Sequence, residues 1–360
     1  MKITVEPDYR LSLHATGEAG ISCTRALRLL LAIETTRNMK AASAEEGLSY
    51  RHAWNLIEEL QEALGGAVIE TAPGRGSRLT ELGQRLVWAE KRTRARLGPL
   101  LDSIGSEISE DIEAATSRAR RVMRMYASHG FAVAALYDRL QHLGIPLDLN
   151  YRGSNEALES FHRKVCDVAG FHVPVGGLEK ILFGRIQRLF PADARLIHLA
   201  TRRQGLMVAR GNPKNIWSLS DLLRKDILFV NRQPGSGTRA ILELLLTQQK
   251  MDSKGIQGYD NVEFTHAAIG AYIASSKADV GMGVETGARR FDLDFVPLLT
   301  ERYFFVCRES LLTDPRFTPI LEALQSTAFH AEVDTIAGYD AALTGQIQTV
   351  AEAFPYSRSG

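Results

Sequence analysis

The sequence predicts three consecutive parts. These are a mostly α N-terminal winged helix-turn-helix over residues 1–80, a long linker helix over 81–118, and a two-lobed α/β domain over 119–360. Three observations predict this order. Apolar residues at helical spacing fill the first part, which closes in a Pro-Gly-Arg-Gly turn between two strand-like runs. A charge-rich middle stretch keeps an apolar stripe with no strand signal. After it, apolar strand runs alternate with amphipathic helices, which argues for parallel α/β units with right-handed crossovers.

Bulk properties fit this division. A chain of 360 residues exceeds what one hydrophobic core usually serves. Hydrophobic content of 45% and charged content of 24% are those of a soluble globular protein. The net charge of +1 supplies no global field for nucleic acid, so any DNA contact must come from a local patch. The opening "MKITVEPDYRLSLHATGEAG" lacks an apolar secretory core, and no run approaches the roughly 18–20 apolar residues that cross a bilayer. A cytoplasmic protein without a membrane partner is therefore expected. Cys23, Cys166 and Cys307 lie far apart and form no zinc spacing, which points to buried thiols and no metal site.

In the first part, Ala26, Leu29, Leu30 and Ile33 form one helical stripe. "MKAASAEEG" is a short helix ended by Gly47, a residue suited to a left-handed position. Ser49 can cap the following helix, whose inner stripe is Ala53, Leu56, Ile57, Leu60 and Leu64. Two helices joined by a Gly-containing turn make a helix-turn-helix, and "AVIETAPGRGSRLT" adds a β-hairpin wing. The candidate DNA face is Ser49, Tyr50, Arg51, His52 and Asn55, with Arg75 and Arg78 at the wing. Arg pairs with guanine edges and Asn with adenine edges in a major groove, while wing arginines suit phosphate. Pro99 is expected to kink the linker helix, whose separate stripe of Leu97, Leu100, Leu101 and Ile104 seeks a second copy of itself.

In the third part, three stretches place a small polar residue between a strand end and a helix start: "YRGSNEAL", "QPGSGTRA" and "GVETGAR". Ligands in open α/β sheets sit beyond the carboxyl ends of strands, where helix N-termini offer free amides to an anion. Each turn is equally an N-cap worth about 1 kcal/mol. The candidate ligand set is Ser154, Asn155, His172, Arg202, Ser236, Gly237, Thr238, Arg239 and Glu285. "TRRQGL" reads as a lobe crossover between two strands, with Arg202 or Arg203 reaching the cleft. No G-x-S-x-G elbow, phosphate loop with Gly-Lys-Ser/Thr, or H-E-x-x-H is present, so no enzyme and no bound cofactor are expected.

Two resemblances follow from these residues. "LSYRHAWNLIEELQEALGG" with "GRGSRLTELGQRL" makes residues 21–90 resemble the winged helix-turn-helix of LysR-type and ModE-like regulators. "GSNEAL", "AGFHV", "RRQGL", "NRQPGSGTRAILE", "SSKADVGMGVE" and "GYD" make residues 119–342 resemble the periplasmic-binding-protein-like domain associated with molybdopterin biosynthesis. The sensor stretches do not correspond to the small β-barrel modules with which ModE-like proteins usually sense molybdate, and "GSGTR" is not usual in a LysR-type effector domain. The resemblance implies a transcription factor that binds double-stranded DNA as a homodimer or homotetramer. It also implies a small-anion effector tied to molybdenum or tungsten metabolism. Molybdate or tungstate is the first candidate, formate the second and a pterin precursor the third. The alternatives from other classes are the solute-binding component of an anion transporter and an enzyme of molybdenum cofactor metabolism.

Overall fold

The computed structural model describes residues 5–13, 21–72, 76–115 and 122–358. Residues 7–98 form one compact unit, and residues 5–6 together with those from 99 onward form the other. The division falls inside a helix rather than at 80/81 or 118/119.

The smaller unit opens with a short antiparallel pair, β1 (Ser12–Leu13) and β2 (Ile21–Ser22). Helices α1 (Thr24–Thr36), α2 (Met39–Glu45) and α3 (Tyr50–Leu64) follow. Ala26, Leu29, Leu30 and Ile33 of α1 are buried, as their spacing requires, against Ala53, Ile57 and Leu60 of α3 in one core cluster. Leu56 and Leu64 pack on it half-buried. Asn38 caps α2 by accepting from the amides of Lys40 and Ala41, and Gly47 follows the helix at φ +64°, where a Cβ would be strained. Strands β3 (Ile69–Ala72) and β4 (Gly76–Leu79) pair antiparallel. The Ser77 amide donates to the Arg37 carbonyl at 3.0 Å, tying the hairpin to the α1–α2 corner. Helix α4 (Glu81–Ala115) runs without interruption through Pro99.

The larger unit is one curled, mixed sheet with helices on its faces. Its first lobe holds β5 (Met123–Ala127), α5 (Phe131–His142), β6 (Leu147–Tyr151), α6 (Ser154–His162), β7 (Val168–Pro174) and α7 (Glu179–Ile186). The long strand β8 (Ala194–Val208) leads into the second lobe. That lobe holds β9 (Phe229–Arg232), α8 (Gly237–Gln248), β10 (Val262–Glu263), α9 (His266–Ala274), β11 (Val280–Val284) and α10 (Glu285–Arg289). Strand β12 (Asp294–Arg308) leads back, giving the order β10-β9-β11-β8-β12-β7-β5-β6. Each lobe has its own cores, with Leu136, Leu149 and Phe305 in one and Leu242, Phe229 and Met282 in the other.

Two expectations are corrected here. The sheet is not wholly parallel: β5 pairs parallel with β6 and β7, and β9 with β10 and β11, but β8 and β12 run antiparallel to their neighbours. "TRRQGL" is not a loop between two strands; it lies inside β8. Its polar residues look like a loop only because their partners are distant in sequence. Arg202 Nε donates to Glu301 Oε2 of β12 at 2.9 Å, and Gln204 Nε2 donates to the same oxygen at 2.6 Å. Both strands therefore cross the interlobe junction with their charges paired.

Arg202 and Glu301 are both almost fully buried. Removing one partner leaves the other charge uncompensated in the interior. Arg202→Met should lower unfolding free energy by about 3–5 kcal/mol in urea titrations followed by near-ultraviolet circular dichroism. A loss below about 1 kcal/mol would show that the pair does not hold the junction.

Candidate functional site

A cleft of about 490 Å³ opens between the two lobes. Its walls are the segments that leave the carboxyl ends of strands, the position where open α/β sheets present ligand groups. Ser128 and His129 follow β5, Arg152 and Gly153 follow β6, and Gln233–Gly235 follow β9. Three helix N-termini converge there: Ser154 and Asn155 of α6, Ser236–Thr238 at the start of α8, and His266 of α9. The opening amides of each helix have no intrahelical acceptor and carry the positive end of the helix dipole. The Ser236 hydroxyl accepts from the Arg239 amide at 3.3 Å, and the Thr265 hydroxyl accepts from Ala268 at 3.0 Å. Those caps leave the Gly237, Thr238 and His266 amides without an intrahelical acceptor, on residues that line the cleft. The Ser236 amide donates to the Gln233 carbonyl at 3.2 Å, closing a turn with Pro234 and Gly235 at its centre, and Gly235 takes φ +82°, a conformation open to glycine.

Charge in the cleft is arranged by depth. Arg232, the last residue of β9, lines the wall and donates Nη2 to the Phe264 carbonyl at 2.8 Å. Burial pulls its pKa down to about 10, with Arg202 adding to the effect and Glu301 opposing it, and it remains cationic at neutral pH. His172 and His266 are held well below the usual imidazole range, first by burial and then by the nearby arginines. Both are neutral N–H donors rather than cations. Ser154 Oγ lies 3.3 Å from His172 Nδ1, and the His172 ring stacks on Tyr303 at 4.9 Å. His266 Nδ1 has no hydrogen-bond partner. Beneath the cradle, Gln204 Nε2 also reaches Thr238 Oγ1 at 3.3 Å, so the α8 N-terminus is tied to the Arg202–Glu301 pair. At the rim, Arg152 is flanked by Glu107 at 3.3 Å and Glu156 at 3.1 Å. The arrangement suits a small anion held by amides, hydroxyls, neutral imidazoles and one guanidinium.

Six of the nine expected ligand residues meet in this cleft: Ser154, Asn155, His172, Ser236, Gly237 and Thr238. Three do not. Arg239 turns away along α8, where Nε meets Glu243 at 3.1 Å and the guanidinium stacks on Tyr259 at 4.8 Å. Arg202 lies below the floor with Glu301, and Tyr339 together with that carboxylate raises its pKa against the opposing effect of burial. Glu285 begins α10 and holds Arg203 at 2.7 Å and Arg289 at 3.1 Å, so neither arginine of "TRRQ" lines the cleft. Arg232 and His266 were missed. A cation at the last position of a strand, beside a Gly-rich turn, was the available signal for Arg232.

In the smaller unit, Ser49 accepts from the His52 amide at 3.2 Å, and Tyr50, Arg51, His52 and Asn55 are exposed along the start of α3. Arg78 is exposed on β4, opposite Glu70. Arg75 lies outside the described residues. Among the described residues no group of three His, Cys, Asp or Glu side chains is placed to hold a metal ion. No described helix is long and apolar enough to cross a membrane.

Fold and cleft together define a two-lobed α/β domain with a cleft between its lobes. Residues 137–325 match the model of the PBP superfamily domain, and the chain belongs to that family. The protein YvgK of Bacillus subtilis (strain 168) is 30% identical over 198 residues, which are 55% of this chain and 64% of that protein, so the chain spans less than two thirds of its length. The molybdenum-pterin-binding protein MopB of Rhodobacter capsulatus is 34% identical over 87 residues, 23% of this chain and 32% of that one. Among solved structures, an OxyR variant of Corynebacterium glutamicum aligns at 13% identity and TM-score 0.42, over 86% of this chain and 95% of that chain. CbnR, a LysR family transcriptional regulator, aligns at 15% identity and TM-score 0.37, over 83% and 98% of the two chains.

The neutral histidines set a pH dependence. Unfolding returns both to about 6.5, so below that pH the unfolded chain binds more protons than the folded one. Stability should hold above about pH 7 and fall as pH drops through 6.5. Urea titrations between about pH 7.5 and 5.5 should show this slope, and His266→Gln should make it shallower. An unchanged slope would mean that His266 is protonated in the folded state.

Proposed function

We propose that the chain is a ligand-responsive transcriptional regulator of the LysR-type and ModE-like kind, without enzymatic activity, that binds double-stranded DNA. The observation that carries this reading is a wall of the cleft. Ser103 and Glu107, from the C-terminal half of α4, line the cleft beside the anion cradle. Ser103 Oγ lies 3.4 Å from His129 Nε2, and Glu107 pairs with Arg152. The helix that continues from residues 7–98 is thus itself part of the ligand site. An occupant that contacts Arg152 competes with Glu107 and biases the position of that helix, which is the differential interaction that coupling requires.

In this reading residues 1–80 are a winged helix-turn-helix, α3 enters the major groove, and Arg51 and Asn55 read base edges. The wing, with Arg78 and Arg75, lies on phosphate. Leu97, Leu100, Ile104 and Ile108, each more than a third exposed, recur at helical spacing along α4, and a second copy of this helix covers them in a homodimer. The effector is a small anion, with molybdate or tungstate and formate as the first candidates. The likeness to a molybdenum-pterin-binding protein supports a link to molybdenum metabolism.

An electrophoretic mobility shift with the DNA upstream of its own gene tests this directly. The protein should retard that DNA at low salt, and Arg51→Ala should weaken binding by about 10–100-fold while keeping any anion-induced rise in melting temperature. Arg232→Ala should lose that rise and keep DNA affinity, whereas Arg239→Ala should change neither. Normal operator affinity in Arg51→Ala would remove α3 as the reading element.

A further inference from the structure

A second convergence of donors lies at the start of α5, on residues that do not line the cleft. Gly130 is the N-cap of α5 and has no side chain to cap it, so the Phe131 and Ala132 amides have no acceptor in the helix. Just after α10, the Arg290 guanidinium stands over the Phe131 ring at 4.3 Å. Its side chain makes no hydrogen bond or ion pair with a described residue. A cation at the positive end of a helix dipole is unfavourable unless an anion lies between them. Arg202 is the second cation. Its side chain is 2% exposed, its Nη1 lies 3.5 Å from the Tyr339 hydroxyl, and its Nη2 is buried without a hydrogen-bond partner. A methyl group added to Gly130 would meet nothing closer than 3.7 Å and would lie 3.9 Å from Arg202 Nη1. The glycine therefore leaves room for a ligand atom on the side where the buried guanidinium lies. Tyr339 sits opposite Arg202 on a short strand paired with β8, and it also adjoins Arg290: partial burial lowers the pKa of Arg290, and the Tyr339 phenol opposes that shift.

We propose that the α5 N-terminus, Arg202, Arg290 and Tyr339 form a second anion site, separate from the cleft, for a small inorganic oxyanion such as sulfate. The donors come from a helix end, two strands and the turn after α10, and a tetrahedral oxyanion offers oxygens in as many directions. Arg290 supplies the net positive charge, because Glu301 already neutralises Arg202. The α5 N-terminus belongs to the first lobe and Arg290 to the second, so an occupant links the lobes at a point away from the cleft. The site stands independently of the anion-cleft reading.

Isothermal titration calorimetry with sodium sulfate on the full chain tests this. Arg232→Ala, which removes the cation of the cleft, should still bind about one equivalent of sulfate. Adding Arg290→Gln to Arg232→Ala should weaken that binding at least about tenfold. Adding Gly130→Ala instead, whose methyl group takes up the room beside Arg202, should do the same. Near-ultraviolet circular dichroism confirms folding. Arg290 lies at the surface, so Arg290→Gln carries the test if Gly130→Ala does not fold. In crystals grown with selenate, the anomalous signal should fall within hydrogen-bond reach of Arg290 and of the Phe131 or Ala132 amide. An Arg232→Ala protein that binds no sulfate would overturn the inference. So would binding that persists when Arg290→Gln is added, or selenate found only elsewhere. Wild-type sulfate binding that Arg290→Gln weakens and Arg232→Ala leaves unchanged supports this site and counts against the cleft reading alone.

Discussion

Arg202 and Glu301 meet at 2.9 Å where two long antiparallel strands pass from one lobe to the other. Neither charge belongs in an interior by itself. Each is tolerated because the other is there, and because Gln204 adds a second donor to the same carboxylate oxygen. That shared oxygen fixes β8 against β12 at the interlobe junction. Through Gln204 and Thr238 it also fixes the first turn of α8, which lines the cleft. The ligand cradle is thus bolted to the junction about which the lobes are arranged. An occupant drawing on the α8 N-terminus and on α6 acts on both lobes at once.

In the proposed function the cleft meets an anion with a low count of fixed charges. Helix N-termini, hydroxyls and neutral imidazoles are aimed inward, and Arg232 is the cation that completes the wall at the end of β9. Neutral donors held in place discriminate by geometry more than by net charge, because misplaced oxygens leave N–H groups unpaired. The rim differs. There Arg152 is already shared between two carboxylates, one of them on α4. In the proposed function, recognition at depth and communication at the rim therefore rest on different chemistry.

Much of this was legible in the sequence because its causes are local. The α1 stripe of Ala26, Leu29, Leu30 and Ile33 is buried since helical periodicity leaves it no other face. Ser49, Ser236 and Thr265 cap helices as their position before an apolar run requires. The same turn chemistry located the α6 and α8 ends of the cleft. What was not legible depends on partners far along the chain. β8 looked broken at Arg202–Gln204 because Glu301, about a hundred positions away, is what makes a polar strand interior possible there. Arg239 looked like the anion-binding cation because it sits in the Gly-rich motif, but Glu243 one turn on and the Tyr259 ring hold it elsewhere. Arg232, the last residue of β9, lines the cleft instead. Glu285 likewise serves Arg203 and Arg289 rather than a ligand.

Where an anion settles is the most direct test of the proposed cleft. A crystal grown with tungstate, located by its anomalous scattering, measures this. The account predicts density between the lobes, within hydrogen-bond reach of the Asn155 and Gly237 amides and beside Arg232. Tungstate bound only outside that cleft, with the α6 and α8 N-termini facing solvent, would contradict it.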